Sequence, residues 1–408
     1  SSAASDVYKR QMLKLELKRI FSKKLNVLAV GLMVILAAVF SGFAATSNRY
    51  VDAHGTVSTG MLATRKLVEN KNGYAGALTE AELTKIVVQY KAVMAQSQEE
   101  QDENYGTLYQ PIDDILNFMI SVLTPDAGYD ETVLDSVTED SVQDFYTWYR
   151  GNMKWMADQY GKTPEQKDYL EKKYSEIILP LQYESYGAWD TMIMYAETYS
   201  IVLAILVGFI CAGIFADDFQ TKADAVFFAS KYGRSKAIKN KILAGVVATT
   251  MIYWTGIVLL SAISFGIMGT SGMHTPYQMS EAYSIYIMTY GQYYALTVAC
   301  GYIASLLAAS LAMLVAAKMH TISVAVCIPF FLYCLLPFIG RVLSSYTKVF
   351  NLIPTILTNV EASVRVPLLY QIGTHVIRQV PLVMVMYTVL SIVLLPLIYR
   401  SFRRYGRA

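Results

Sequence analysis

The stretch "IVLAILVGFICAGIFADDFQTK", Ile201–Lys222, changes from apolar to charged at a single point and decides how the chain folds. Its apolar part belongs to an uncharged run over residues 198–216. A helix needs about 20 such residues to cross the hydrocarbon core of a bilayer. We therefore interpret this stretch as a membrane-spanning helix that ends where a charged loop begins.

Five further runs of the sequence have the same length and apolar character. Hydrophobic residues make up 54% of the 408 residues and the mean hydropathy is +0.35, which is typical of membrane proteins. A soluble core helix can imitate one such run, but not six. We predict an all-α integral membrane protein with six transmembrane helices and a mainly helical domain outside the membrane. The predicted units are transmembrane helix 1 at 25–46, the domain at 47–192, and transmembrane helices 2–6 within 193–408, at 198–216, 242–266, 294–317, 319–340 and 379–399.

The first residues have a different origin in our interpretation. The sequence "SSAASDVYKRQ", Ser1–Gln11, matches the in-frame translation of a transposase-type sequencing adapter at every position. Such additions are excluded from reasoning about the fold. We expect residues 1–11 not to be native and the natural chain to begin at or near Met12.

Lys and Arg residues are distributed unequally between the two predicted membrane faces. Without residues 1–11, the face with both termini carries 16 of them, whereas the short connections on the other face carry four, all within 340–379. Cytoplasmic loops are rich in Lys and Arg, so we predict that both termini are cytoplasmic and that residues 47–192 lie outside. Residues 12–24 have an apolar side and a basic side, which predicts a cytoplasmic helix in the membrane interface. A simple flanking anchor is the alternative.

The domain at 47–192 has the periodicity of helices and an acidic composition. Thr79 with Glu82, and Thr163 with Pro164, predict two helix starts. The domain contains 24 Asp and Glu against 12 Lys and Arg, and it is rich in Tyr and Trp. Two interpretations stay open: a solvated surface around an aromatic core, which we favour, and an acidic, aromatic surface that attracts a cationic peptide.

Several classes of site are disfavoured by the sequence. The Cys and His residues have no metal-ligand spacing, so we expect no metal site. "GKT" at 161–163 resembles the end of a phosphate loop, but Met156 stands where that motif needs Gly. The spans lack the charged residues of an ion path and the paired carboxylates of an enzyme, and we expect no catalytic residues. Five Tyr before the fourth span, within 283–294, predict an aromatic belt, and residues 340–379 predict short re-entrant or interfacial helices.

The loop at 216–241 holds six Lys and Arg. We expect a short helix over Asp217–Ser230, with Asp217 and Asp218 favourable at its N-terminus. Phe219, Ala223, Val226 and Phe227 would share its apolar face. Gly233 would then turn the chain with a positive φ.

At this loop the sequence resembles the type-2 ATP-binding-cassette (ABC) transporter permeases. Their second-to-third loop reads roughly F-x-x-E-x-x-x-G, followed by a turn with Gly-Arg and a Lys before the next span. Phe215, Asp218, the "KYGRSK" turn and Lys241 match, whereas Asp218 replaces the usual Glu and Lys222 the usual Gly. The layout of residues 12–408 is also similar.

The resemblance implies a permease subunit, an exporter, in a bacterial cytoplasmic (inner) membrane. It implies a coupling helix that docks a separate ATPase subunit, which binds ATP and Mg²⁺, while this chain binds no cofactor. It also implies a second permease copy or paralogue beside the lipid bilayer, and no nucleic acid. The residues implied for ATPase coupling are Asp217, Asp218, Phe219, Lys222, Lys231, Tyr232, Gly233, Arg234 and Lys241.

Three alternatives remain at this point. The loop could bind anionic lipid instead of a protein. The chain could be a membrane-anchored sensor or immunity protein whose outer domain binds a peptide without transport. A four-span mechanotransmission permease is disfavoured by the six spans. Nothing in the sequence identifies a substrate or its binding residues.

Overall fold

A computed structural model describes residues 2–125, 128–230, 232–342 and 350–404, and side chains are considered from Gln11 onward, except those of 340–342. Six of its helices are long and apolar enough to cross a membrane, which confirms the predicted all-α membrane fold. We name them first to sixth span: Lys24–Ser47 (α2), Gly187–Gln220 (α11), Gly233–Met268 (a π-turn and α13, Ile238–Met268), Tyr290–Met319 (α14), Ile322–Ile339 (including α15, Ile322–Phe330, and part of α16, Leu336–Val342) and Gln379–Arg404 (α18).

The spans form one bundle with two distinct ends. The second and fourth spans make the most extensive contact, and the third and sixth spans pack around them. The N-terminal helix α1 (Ser2–Ser22), the loop after the second span and the end of the sixth span meet at one end, which we call the termini side. The opposite end carries the large domain and is called the domain side.

The large domain lies between the first and second spans. Short antiparallel pairs close it: β1 (Arg49–Val51) with β2 (Val57–Thr59), and β3 (Gly76–Ala77) with β4 (Gln182–Tyr183). The second pair joins the beginning of the domain to its end, next to the second span. The domain helices are α3 (Met61–Asn72), α4 (Glu80–Met94), α5 (Gln98–Asn104), α6 (Asp113–Leu123), α7 (Val133–Ser136), α8 (Glu139–Val142), α9 (Phe145–Tyr160) and α10 (Pro164–Ser175).

The domain core follows the helical pattern of the sequence. Phe145, Tyr149 and Met156 of α9 are buried, as their spacing predicts, but Trp148 on the same helix is 37% exposed. The two predicted helix starts are present. The Thr79 hydroxyl accepts from the backbone N–H of Glu82, and the Thr163 hydroxyl accepts from that of Gln166 with Pro164 in the first turn.

The five tyrosines within 283–294 are not a lipid-facing belt before the fourth span, so that prediction is wrong. Three of them, Tyr290, Tyr293 and Tyr294, lie in the first turns of that span. Four of the five are at most 7% exposed, because they pack inside the protein. Tyr283 lies against Tyr149 of the domain, Tyr290 stacks on Tyr186, and the Arg378 guanidinium lies over the ring of Tyr286. The Tyr149 hydroxyl of the domain donates to the carbonyl of Ala282, and the Tyr283 hydroxyl donates back to the carbonyl of Val122 at 2.6 Å. These reciprocal bonds fix the domain to the connection between the third and fourth spans.

The segment before the sixth span contains a hairpin that the sequence analysis missed. After a 3₁₀ turn (Pro354–Thr358) and α17 (Glu361–Arg365), strands β5 (Leu369–Ile372) and β6 (His375–Arg378) pair in antiparallel fashion. Gly373 has a φ of 62°, which a tight hairpin turn requires. The expected short helices therefore account for only part of 340–379, and residues 343–349 lie outside the described residues.

Candidate functional site

The second span continues as a helix to Gln220, past the point where the charges begin. Asp217 and Asp218 therefore lie in its last turn and do not start a loop helix, contrary to the prediction. Carboxylates are unfavourable at a helix C-terminus because of the helix dipole. Here basic side chains from other elements compensate for that cost.

Those basic side chains come from α1, from Lys23 between α1 and the first span, and from the third span. Arg19 contacts one Asp218 carboxylate oxygen at 2.5 Å, and the Lys241 ammonium lies 2.9 Å from the other. Lys23 pairs with Asp217, and Glu16 is 3.8 Å from the Lys241 ammonium. We call these six residues the charge cluster: Glu16, Arg19, Lys23, Asp217, Asp218 and Lys241.

Lys241 is the most deeply buried member of the charge cluster. Its side chain is fully buried, and its ammonium also donates to the Ile214 carbonyl at 3.1 Å. A buried ammonium is tolerated only with such partners, since an unpaired charge in a protein interior costs several kcal/mol. The cluster contains three acidic and three basic groups, so its charges balance.

The second span ends at Lys222 in a Schellman motif. The backbone N–H of Ala223 donates to the Asp218 carbonyl at 2.8 Å, and that of Lys222 donates to the Phe219 carbonyl at 3.1 Å. Lys222 has a φ of 54°, the left-handed conformation that glycine usually supplies at this position. Lys222 is the residue that replaces the Gly of the permease pattern, so its backbone takes the conformation that Gly would favour.

The loop helix is shorter than predicted, Asp224–Ala229 (α12), and its aromatic residues pack on the sixth span. The rings of Phe227 and Phe228 lie 5.8 and 5.1 Å from the ring of Phe402, between centroids, and Phe219 lies 5.7 Å from the same ring. Val226 does not belong to this apolar face, because it points outward and is 76% exposed.

The turn after α12 is fixed by close packing and not by a positive φ at Gly233. Gly233 begins a π-turn over Gly233–Ala237, and a Cβ there would collide with the Phe227 carbonyl. The Arg234 guanidinium lies over the ring of Phe228 at 4.8 Å and donates to the Arg403 carbonyl at 3.2 Å. Lys236 lies over the Tyr232 ring at 4.8 Å.

The structure thus brings together most of the predicted site residues. Asp217, Asp218 and Lys241 meet in the charge cluster, and Phe219, Gly233 and Arg234 meet around α12. Tyr232 lies in the turn after α12, and Lys222 ends the second span. Lys231 lies outside the described residues.

Sequence analysis missed the partners from distant parts of the chain. Arg19, Lys23 and Phe402 were not assigned to the site, although Arg19 and Lys23 are among the basic residues of the amphipathic segment 12–24. The apolar side of α1 packs on the bundle: Ile20 is 2% exposed, and Leu13, Leu17 and Phe21 are half-buried against it. A basic amphipathic helix beside an acidic pair is the available signal for this contact.

The remaining sequence candidates lie elsewhere or are ordinary structure. The "GKT" sequence forms the turn between α9 and α10, where Gly161 ends one helix and Thr163 caps the next. A phosphate loop instead follows a strand. In the described ranges, no three His, Cys, Asp or Glu side chains are grouped in a way that could hold a metal ion.

Comparisons of this chain with protein-family models, with curated proteins and with solved structures found no match.

Proposed function

We propose that this chain is the membrane-spanning permease subunit of an ABC transporter, an exporter whose ATP hydrolysis is performed by a separate ATPase subunit. The ATPase docks on the loop at 216–241, which acts as the coupling element. In this proposal the chain itself carries no catalytic residue.

The observation that carries the proposal is the attachment of the loop helix α12 to the ends of several spans. Its Phe227 contacts Phe402 of the sixth span and lies 5.3 Å below the ammonium of Lys241, at the start of the third span. Lys241 in turn is bound to Asp218 of the second span. A force applied to α12 is therefore transmitted to three spans through buried contacts.

The exposed face of α12 supplies the docking surface. Val226 projects from the middle of this short helix and is 76% exposed, although the neighbouring Phe227 and Phe228 are held against Phe402. An exposed apolar side chain on a fixed helix is suited to insertion into a groove of a partner protein. The left-handed backbone at Lys222 adds to the resemblance, since the permease pattern has Gly at that position.

The orientation follows from the charge asymmetry. Without residues 1–11, the termini side carries 16 Lys and Arg, and the short connections of the domain side carry four. By the positive-inside rule we infer that the termini side faces the cytoplasm of a bacterial cell, where ATP is present, and that the large domain faces outward. A second permease copy or a paralogue completes the transporter in the proposal.

The experiment is site-specific photo-cross-linking from position 226. The full chain, with a photoreactive amino acid in place of Val226, is expressed together with a candidate ABC ATPase. The matched control carries the same amino acid in place of Ile178, which is 84% exposed in the large domain. We expect a cross-link to the ATPase from position 226 and none from position 178. Absence of the cross-link from 226, in a chain that folds and inserts, would refute the proposal, and cross-links to lipid alone would favour the lipid-binding alternative.

A further inference from the structure

We propose that the large domain binds an organic cation, an alkylammonium group, in a tyrosine-walled cavity at the junction of α4, α5 and the chain before α7. We call this space the tyrosine cavity. It lies in a different part of the molecule from the loop at 216–241 and does not depend on the function proposed for that loop.

The tyrosine cavity has the size of a ligand site. Its volume is about 630 Å³, within the range of about 300–1,000 Å³ that small-molecule pockets occupy. Three tyrosines form its aromatic wall and three carboxylates lie around it: Tyr90, Tyr105 and Tyr109, with Asp102, Glu131 and Asp135. The other lining residues of the described chain are neutral, and none is Lys or Arg.

The aromatic wall is a stack of rings with one accessible member. The rings of Tyr105 and Tyr109 are stacked with centroids 5.4 Å apart, and Tyr90 lies 6.4 Å from Tyr109. Tyr90 is buried, whereas Tyr105 is 38% exposed and borders the open side. The face of an aromatic ring is electron-rich and attracts a cation within about 6 Å of its centre.

Two of the three carboxylates accept hydrogen bonds from neutral side chains. The Tyr109 hydroxyl donates to Glu131 at 2.6 Å, and the Gln98 amide donates to Asp102 at 3.1 Å. Among the described residues, no Lys or Arg forms an ion pair with Asp102, Glu131 or Asp135. Burial, together with Glu131, raises the pKa of Tyr109 well above its usual range, so that the phenol stays a neutral donor.

The cavity wall is preorganised by the backbone beneath it. Tyr105 and Tyr109 lie on a single π-turn, Tyr105–Tyr109, and Gly106 of that turn packs directly on β1. A Cβ at Gly106 would collide with the Val51 carbonyl and would lie 2.7 Å from the carbonyl oxygen of Asp52. On the other side, a capping box of Ser97 and Glu100 fixes the start of α5, which carries Asp102. A rigid site of this kind loses little entropy when a ligand binds.

These features select the chemistry of the ligand. Stacked phenol rings beside several carboxylates favour a cation with an apolar surface, such as an ammonium on an alkyl chain, over a small hydrated metal ion. Two sources share that group: a free polyamine and the lysine side chain of a peptide. The acidic excess of the whole domain, 24 Asp and Glu against 12 Lys and Arg, would attract either one.

The test is isothermal titration calorimetry on the purified full chain in detergent micelles. The probes are spermidine, the peptide acetyl-Ala-Lys-Ala-amide, and the same peptide with the lysine acetylated. We expect spermidine, the lysine peptide or both to bind, and the neutral acetyl-lysine peptide not to bind. Binding of spermidine alone identifies a free polyamine, and binding of the peptide alone identifies a peptide side chain.

Substitutions in the tyrosine cavity distinguish binding at this site from attraction of the cation by the acidic surface of the domain. Tyr105→Leu should weaken binding about 2- to 5-fold, whereas Tyr105→Phe, which keeps the ring, should leave it nearly unchanged. The double variant Asp102→Asn/Glu131→Gln should weaken binding about 10-fold or more. Asp168→Asn/Glu171→Gln is the matched control, since it removes the same charge from the distant helix α10 and should have little effect.

Three results would overturn the proposal. The first is no binding of spermidine or the lysine peptide at up to about 10 mM. The second is equal binding of the neutral acetyl-lysine peptide. The third is an equal loss of affinity in the cavity variant and the α10 control, which would assign binding to the acidic surface as a whole. The thermal melting curve of each variant establishes that it is folded.

Discussion

The ammonium of Lys241, at the start of the third span, lies 2.9 Å from the carboxylate of Asp218, at the end of the second span, and both side chains are at most 3% exposed. This pair joins two membrane-spanning helices directly beneath the loop helix α12. The pair is not symmetric, because Asp218 has a second cation, Arg19, whereas the other carboxylate near Lys241, on Glu16, lies at 3.8 Å.

That asymmetry predicts unequal effects of the two neutralising substitutions. Asp218→Asn leaves Lys241 buried with a weak partner and should destabilise the chain by about 3–5 kcal/mol. Lys241→Met should cost less, since Arg19 still pairs with Asp218. The measurement is the apparent Tm in detergent micelles.

The double variant Asp218→Asn/Lys241→Met completes a thermodynamic cycle for this pair. Its loss of unfolding free energy should be about 1–3 kcal/mol smaller than the sum of the losses in the two single variants, because no charge is left unpaired between the two positions. Glu82→Gln on the exposed face of α4 breaks an exposed pair with Lys85 and should change stability by at most about 0.5 kcal/mol. Additive effects of the two buried substitutions would show that the pair is not coupled.

Replacement of Lys222 by glycine should stabilise the end of the second span. Its φ of 54° is strained for a residue with a side chain, so Lys222→Gly should raise the free energy of unfolding by up to about 1 kcal/mol. Lys222→Val should destabilise this turn, because a β-branched residue tolerates a positive φ poorly. Hydrogen exchange of the amides at 219–223 measures both changes. Slower exchange in the valine variant than in the glycine variant would contradict the left-handed turn.

Substitution of Gly233 should disturb the packing of α12 without changing any charge. Gly233→Ala places a Cβ against the Phe227 carbonyl and should displace α12 from Phe402. The expected result is faster hydrogen exchange over 224–237 and a destabilisation of about 1–3 kcal/mol. Gly151→Ala is the control, since its Cβ meets nothing within 4 Å inside α9 and should stabilise that helix by about 1 kcal/mol. Equal changes of stability in Gly233→Ala and Gly151→Ala would rule out close packing of Gly233 against the Phe227 carbonyl.

Asp113 in the large domain should make the unfolding free energy of the chain depend on pH. Its carboxylate lies 2.6 Å from the ammonium of Lys71, but burial raises its pKa to about 6. The unfolded chain has the ordinary pKa near 4, so the folded chain binds the extra proton between about pH 4 and 6. Stability from this group therefore rises as the pH falls from 7 toward 4, by up to about 2–3 kcal/mol.

Asp113→Asn should remove that dependence, because the amide resembles the protonated acid. The measurement compares the thermal melting of wild type and variant at pH 7 and pH 5. We expect the variant to be the more stable protein at pH 7 and the advantage to shrink at pH 5. A variant that is less stable by the same amount at both values would mean that Asp113 is ionised throughout and stabilises the fold through Lys71.

The membrane spans could be predicted from the sequence alone, because the length and apolar character of a segment decide directly whether it can cross a bilayer. It was misleading at Asp217 and Asp218, where two acidic residues normally mark the start of a helix. Their partners Arg19 and Lys241 are distant in the chain, and only the packing of α1 against the third span brings them together. Local propensity cannot anticipate such a contact.

Two other errors have related causes. The tyrosines within 283–294 have the composition of an interfacial belt, but four of them are buried by tertiary contacts, such as that of Tyr283 with Tyr149 of the domain, which the sequence does not show. The hairpin Leu369–Arg378 carried a signal that was overlooked: the two-residue turn Gly373–Thr374 between segments rich in β-branched and aromatic residues. The burial of Phe145 and Tyr149 agrees with the aromatic core that the sequence favours for the domain, whereas Trp148 is partly exposed.

The most direct test of the central claim is co-purification of a candidate ABC ATPase with the full chain, compared between wild type and Val226→Glu. Val226 is exposed and packs on nothing that the fold needs, so the variant should fold and insert normally. Ile178→Glu on the large domain is the control. The account predicts that wild type and the control retain the ATPase and that Val226→Glu loses most of it, whereas equal retention by all three proteins would contradict the assignment of the loop as the coupling element.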